Sequence, residues 1–266
     1  MAVYKQVFLL GLKKSYRYKV NFYVGLISFF FPLLIQYYLW TGLFKASGSS
    51  TVFGYTLYQM LFYAVAACLV TKVVSPGFAF AINEDIKNGG LAKFLVRPVS
   101  YYGYSMANYL GEKTGVVLCS SLLFVALCGV WSFGKLVPIT MVQLLLFFFA
   151  VAGAIVLNFM IYYGISGLGF WMTDASGAVY ITILMGKIIS GGIFPLDIFG
   201  TGIQRALAML PFPYTGYFPI SILCYNPTAE EIAEGFVIQA VWIVVCFVLM
   251  KLVWSRGLKK YTAVGG

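Results

Sequence analysis

No histidine occurs among the 266 residues of this chain. Histidine is the usual general base, proton relay and zinc ligand near neutral pH, so those chemistries lose their ordinary carrier. Charge is scarce as well: 10% of the residues are charged and 61% are hydrophobic. A soluble domain carries about 25% charged residues to cover its surface. The shortage excludes a soluble enzyme, a disordered segment and a fibrous repeat. Acidic residues are the scarcer sign, 8 against 18 basic, for a formal charge of +10. The basic residues border apolar runs instead of forming one face, so they are read as an inner rim against anionic lipid and not as a nucleic-acid surface. The five cysteines, Cys68, Cys119, Cys128, Cys224 and Cys246, include no CxxC pair, and four lie in apolar runs. They read as small buried hydrophobes, not as a disulfide framework or a zinc site.

Long apolar runs are what the chain has in plenty, and several exceed the roughly 18 residues that cross a bilayer. Six transmembrane helices are expected at 22–44, 53–75, 105–131, 137–170, 177–197 and 236–255, an all-α integral membrane fold in a single domain over 1–266. With an even number of crossings both termini share a side. Placing them in the cytoplasm puts fourteen of the eighteen basic residues inside, three (Lys45, Lys135, Arg205) outside and Lys187 within a span, as the positive-inside rule requires. Residues 1–21 read as an interfacial helix, with Val3, Val7 and Leu10 at helical spacing and Lys13 and Arg17 on another side; a frayed basic tail is the plainer alternative. No apolar core ending at a small-residue site follows the start, so no cleavable signal peptide is read.

Residues 195–224 are apolar but broken by Pro195, Pro211, Pro213 and Pro219 and by Gly200, Gly202 and Gly216. No single helix crosses through such a stretch. An outer re-entrant hairpin is expected, with an ordinary interfacial loop as the alternative. Pro32 predicts a kink in the first span. Gly129 to Leu136 mimics a GxxxxGK phosphate loop, but Leu136 stands where Ser or Thr would hold magnesium, and no strand precedes it. Asn226-Pro227-Thr228 fails as a glycosylation acceptor because of its proline.

Two features carry chemistry. The segment 82–100, read as cytoplasmic, sets Ile82, Ile86, Leu91, Phe94 and Leu95 in a mixed-charge background divided by Gly89-Gly90. It can rest an apolar edge on a partner while its polar groups stay wet. Lys187 lies near the middle of the fifth span, where a cation costs about 3 kcal/mol unless it reaches water or a partner. It reads either as a cavity-facing cation for an anionic or amphipathic solute, or an inter-subunit contact, or as a side chain snorkelling to an interface. Beside it, Gly186 and Ser190 are four apart, a spacing that allows a close helix contact at a dimer seam or inside one subunit. Glu112 and Lys113 mark the inner end of the third span, within reach of a salt link to the amino-terminal helix.

The positions Ile86, Lys87, Gly89, Leu95, Arg97, Pro98, Val99 and Ser100 resemble the loop of type-2 ABC exporter permeases, in the branch grouped with viologen and drug exporters. The basic-aromatic tail from Arg256 and the Gly-rich Ser190 to Leu196 are similar to the same branch. Gly90 departs from it, where an acidic residue is more usual. The resemblance implies the transmembrane permease subunit of an ATP-driven exporter. It would pair with a second copy or a related permease and dock on two cytoplasmic ABC ATPase subunits that hold ATP and magnesium. No catalytic, cofactor or metal residue is then expected in this chain. Coupling would run through Glu84, Asp85, Ile86, Lys87, Leu91, Leu95, Arg97 and Pro98, in a multi-pass protein of a bacterial-type plasma membrane. A secondary transporter or channel is the alternative, weakened because no carboxylate lies well inside a span. An intramembrane enzyme lacks histidine and paired carboxylates.

Overall fold

The computed structural model describes residues 2–17, 19–133, 139–225 and 227–261. The Gly134-Lys135-Leu136 end of the phosphate-loop mimic, Asn226 and the tail after Tyr261 lie outside the described residues. Eleven α-helices follow in order: α1 (Ala2–Arg17), α2 (Lys19–Ser47), α3 (Leu57–Val74), α4 (Phe78–Lys87), α5 (Ala92–Leu95), α6 (Tyr101–Phe133), α7 (Met141–Ser166), α8 (Ser176–Ile189), α9 (Thr201–Ala208), α10 (Tyr217–Cys224) and α11 (Ala229–Leu258). Short 3₁₀ turns join several of them, and among the described residues β-structure is limited to one isolated bridge, Val52 to Tyr55.

Among the described residues, four helical runs are long and apolar enough to cross a membrane: Leu57–Lys87, Tyr101–Ala126, Met141–Phe170 and Ala229–Leu258. α8 is apolar but has 14 residues, about 21 Å of helix. It ends eight residues before the expected limit of 197 because the chain reverses at Gly191, whose φ of 73° suits glycine. The Ser190 and Gly192 amides close the end by donating to the Gly186 and Lys187 carbonyls, at 2.8 and 2.9 Å.

Three of the long helices start with the same device. Thr56 with Gln59, Thr140 with Gln143, and Thr228 with Glu231 each form a reciprocal capping box at the heads of α3, α7 and α11. The threonine after Asn226-Pro227 is therefore a helix cap. The signature Thr-x-x-Gln/Glu before an apolar run is visible in the sequence.

α7 is the centre of the packing, with α3, α4, α8, α10 and α11 against it. Ala150, Ala154, Leu157 and Phe159 on it are fully buried. α10 sits between α3 and α7 with Ile220, Ile222 and Leu223 buried. Gln239 of α11 donates to the carbonyls of Ala150 and Tyr214 at 3.0 and 2.9 Å, which fixes α11 and the turn before α10 to α7 at one level. Pro195 and Pro213 are buried where the broken segment folds against the bundle, and Pro211 opens the 3₁₀ turn Phe212–Thr215.

α1 runs along the first turns of α6. Val7 is buried there, while Val3 and Leu10 are exposed. The crossing is set by glycine: a Cβ on Gly11 would meet Asn108 O at 2.6 Å, and one on Gly111 would strike the Phe8 carbonyl. Close approach of two backbones thus decides the contact, more than the apolar stripe does. The Lys14 ammonium reaches the Glu112 carboxylate at 2.8 Å, an exposed pair that sets register more than stability.

Candidate functional site

The segment 78–100 follows α3 after a break at Ser75-Pro76-Gly77. On α4, Phe78, Ala79, Ile82, Asn83 and Ile86 form the buried face, and Ala81, Glu84 and Lys87 face outward. Gly89 adopts a φ of 76° and turns the chain back. Asp85 anchors the return: its carboxylate accepts from the Tyr101 hydroxyl at 2.8 Å and lies 3.9 Å from the Lys93 ammonium, and its carbonyl accepts from the Leu91 amide at 3.1 Å. A Cβ at Gly90 would run into that carboxylate. Glycine at 90 leaves Asp85 its place. Leu91 is fully buried, and the chain then presents Leu95, Val96, Arg97 and Pro98 outward, Val96 being 84% exposed.

The eight expected coupling residues therefore divide. Ile86 and Leu91 are anchored in the chain's own core, and Asp85 and Lys87 are engaged by side chains of the same chain. Glu84, Leu95, Arg97 and Pro98 form the free rim. Aromatic rings make the floor beneath. Phe94 packs on Tyr101 and Tyr104 with centroids at 4.8 and 4.7 Å. Tyr163 stacks on Trp254 at 4.3 Å, and the Trp254 indole donates to the Tyr163 carbonyl at 2.8 Å. Each such ring pair adds about 0.5–1.5 kcal/mol beyond its burial.

One node ties this platform to α8. Asn83, 2% exposed, donates from Nδ2 to Asp174 Oδ1 at 3.0 Å and to Ser176 Oγ at 2.8 Å, and its Oδ1 accepts from the Ala175 amide at 3.2 Å. The Lys87 ammonium closes the other side of Asp174 at 2.8 Å. That ammonium, with the Ser176 groups and Asn83, holds the Asp174 carboxyl well below the usual carboxylate range. Asn83 is not among the residues expected to carry the loop's contacts. The available signal was an amide on the apolar face of α4, with an Asp-x-Ser step at the head of α8 ready to receive it.

Lys187 and Ser190 line a cleft of about 530 Å³ between α2, α3, α7 and α8, capped by the 3₁₀ turn after Pro211. Gly186 lines it too and is buried against the Tyr162 hydroxyl and the Phe212 ring, so its close contact is within the chain. The cleft sits behind the hinge at Ser75 to Gly77, where Asn158 of α7 donates to the Val74 carbonyl. α2 closes one edge: Gln36 donates to the Ile193 carbonyl at 2.8 Å and accepts from the Trp40 indole at 2.8 Å.

An outward rim thus rests on an aromatic floor, and Asn83 joins its helix to the head of α8, whose far end lines the cleft. Residues 30–265 match the model of one family, described as ABC-2 family transporter protein. No curated protein matches the chain.

Proposed function

The chain belongs to the ABC-2 family of transporter proteins, and from that premise we propose that it is the permease half of an ATP-driven exporter. As an ABC transporter permease it is membrane-embedded and works with ABC ATPase subunits. Our reading goes further: α2 and α8 complete six crossings, and residues 195–224 form an outer re-entrant hairpin. Both termini lie in the cytoplasm of a bacterial-type plasma membrane. Two permease halves, alike or related, meet along the exposed face of α8 at Ile181, Leu184 and Ile188, and two ATPase subunits dock on the rim of Glu84, Leu95, Arg97 and Pro98.

The observation that carries this reading is the Asn83 node. A rim that docks an ATPase moves solute only if its displacement reaches the cleft, and Asn83 joins the rim's helix to the head of α8, whose far end holds Lys187. ATP and magnesium belong to the partner subunit, and this chain supplies position and path. The test is co-purification with an ABC ATPase and measurement of vanadate-sensitive hydrolysis in reconstituted vesicles. Solute movement in vesicles free of any ATPase would sink the reading.

A further inference from the structure

We propose that the cleft between α3 and α8 is a binding site for an anionic amphiphile, held by Lys72 and Lys187. The inference rests on the permease reading and names its substrate class. Both lysines line one cleft, from different helices, and neither has an ion-pair partner among the described residues. None of the described lining residues is acidic. The Lys113 ammonium, outside the lining, donates to the Lys72 main-chain carbonyl at 3.2 Å. In a cleft set within the bilayer, two like charges repel unless an anion lies between them. No carboxylate of the described lining neutralises them. Here the countercharge is left to an occupant.

The rest of the lining says what else that occupant carries. Pro32, Phe80, Ile183 and Phe212 give apolar walls, and Asn158 and Thr215 give a few polar groups. A volume of about 530 Å³ is within the range of sites that hold a drug-sized ligand. A phosphate, sulfate or carboxylate head on an apolar tail satisfies both lysines and the walls together. A cationic amphiphile would add a charge to the existing ones.

The test uses the full chain in nanodiscs of zwitterionic lipid, with dodecyl phosphate, dodecylphosphocholine and dodecyltrimethylammonium as probes in calorimetric titration. The anionic probe is expected to bind at least about tenfold more tightly than the other two. Lys187→Met and Lys72→Met should each remove about tenfold of that preference, Lys187→Arg should keep it, and Lys187→Glu should turn it toward the cation. Equal binding of the three probes by the unmodified chain would overturn the proposal without recourse to any variant, and so would a preference unchanged in both Met variants. Adding phosphatidylglycerol to the nanodiscs separates the sources. Competition with the probe assigns the site to a lipid head, and lysine-dependent probe binding without competition assigns it to a soluble anion. No ATPase is present, so a failure here is separate from a failure to couple to one.

Discussion

Around Trp254 each ring has another ring beside it, and the main-chain carbonyl of Tyr163 takes its indole proton. Along α8 the side chains are held in the opposite way. Val179 and Gly186 are buried, while Tyr180, Ile181, Leu184, Met185 and Ile188 are exposed. Both regions are rich in large apolar residues, so composition does not separate them; the number of directions from which each residue is held does. A region with many buried contacts opens at high free energy, and one with few moves at low free energy. On the proposed reading the platform seats the rim, and α8, held by this chain from fewer directions, is the part that shifts.

The sharpest way to break this comparison is to cut equally into both sides. Trp254→Ala should destabilise the chain by about 3 kcal/mol or more, as expected for a buried aromatic. Met185→Ala should change it by less than about 0.5 kcal/mol. Thermal unfolding in detergent reads both, and equal shifts would erase the distinction. Next in size, Gly111→Val should cost about 1–3 kcal/mol by forcing α1 off α6. Melting of the variant beside a chain lacking α1 would show how much of the loss belongs to α1. Smaller in energy but specific in kind, Asn83→Ala should lower solute-stimulated ATP hydrolysis about tenfold while leaving ATPase association intact.

The smallest effect sharpens the account by being nearly absent. The Asp174 carboxyl is depressed by the Lys87 ammonium. A depressed carboxyl gives its stabilisation above the ordinary value of about 3.9 and loses it only as pH falls through the depressed one. Coupling should therefore stay flat on its account from about pH 8 to pH 5. A fall in coupling over that window that disappears in Asp174→Asn would contradict the assignment.

The helices were largely legible in the sequence, because an apolar run of membrane length leaves the backbone little choice but to bond within itself. Four of the six expected spans fall on helices long and apolar enough to cross a membrane; the first falls on α2 and the fifth on the shorter α8, which ends at Gly191 and Gly192. The loop was legible as a place and not as a surface. Ile86 and Leu91 share the apolar pattern of Leu95, yet the first two face the chain's own core; an apolar edge looks the same whichever body covers it. α1 shows the same limit, since Gly11 decides its crossing and Leu10 is exposed. The Asn83 node joins residues about ninety positions apart, and no local spacing announces such a pair.

The central claim is that the rim docks and the node transmits. It is tested most directly by vanadate-sensitive, solute-stimulated ATP hydrolysis in vesicles holding the permease and its ATPase, compared for Arg97→Glu and Asn83→Ala. Arg97→Glu should lose ATPase from the complex, and Asn83→Ala should keep the ATPase and lose the stimulation. Full stimulation in the Asn83→Ala complex would contradict the account.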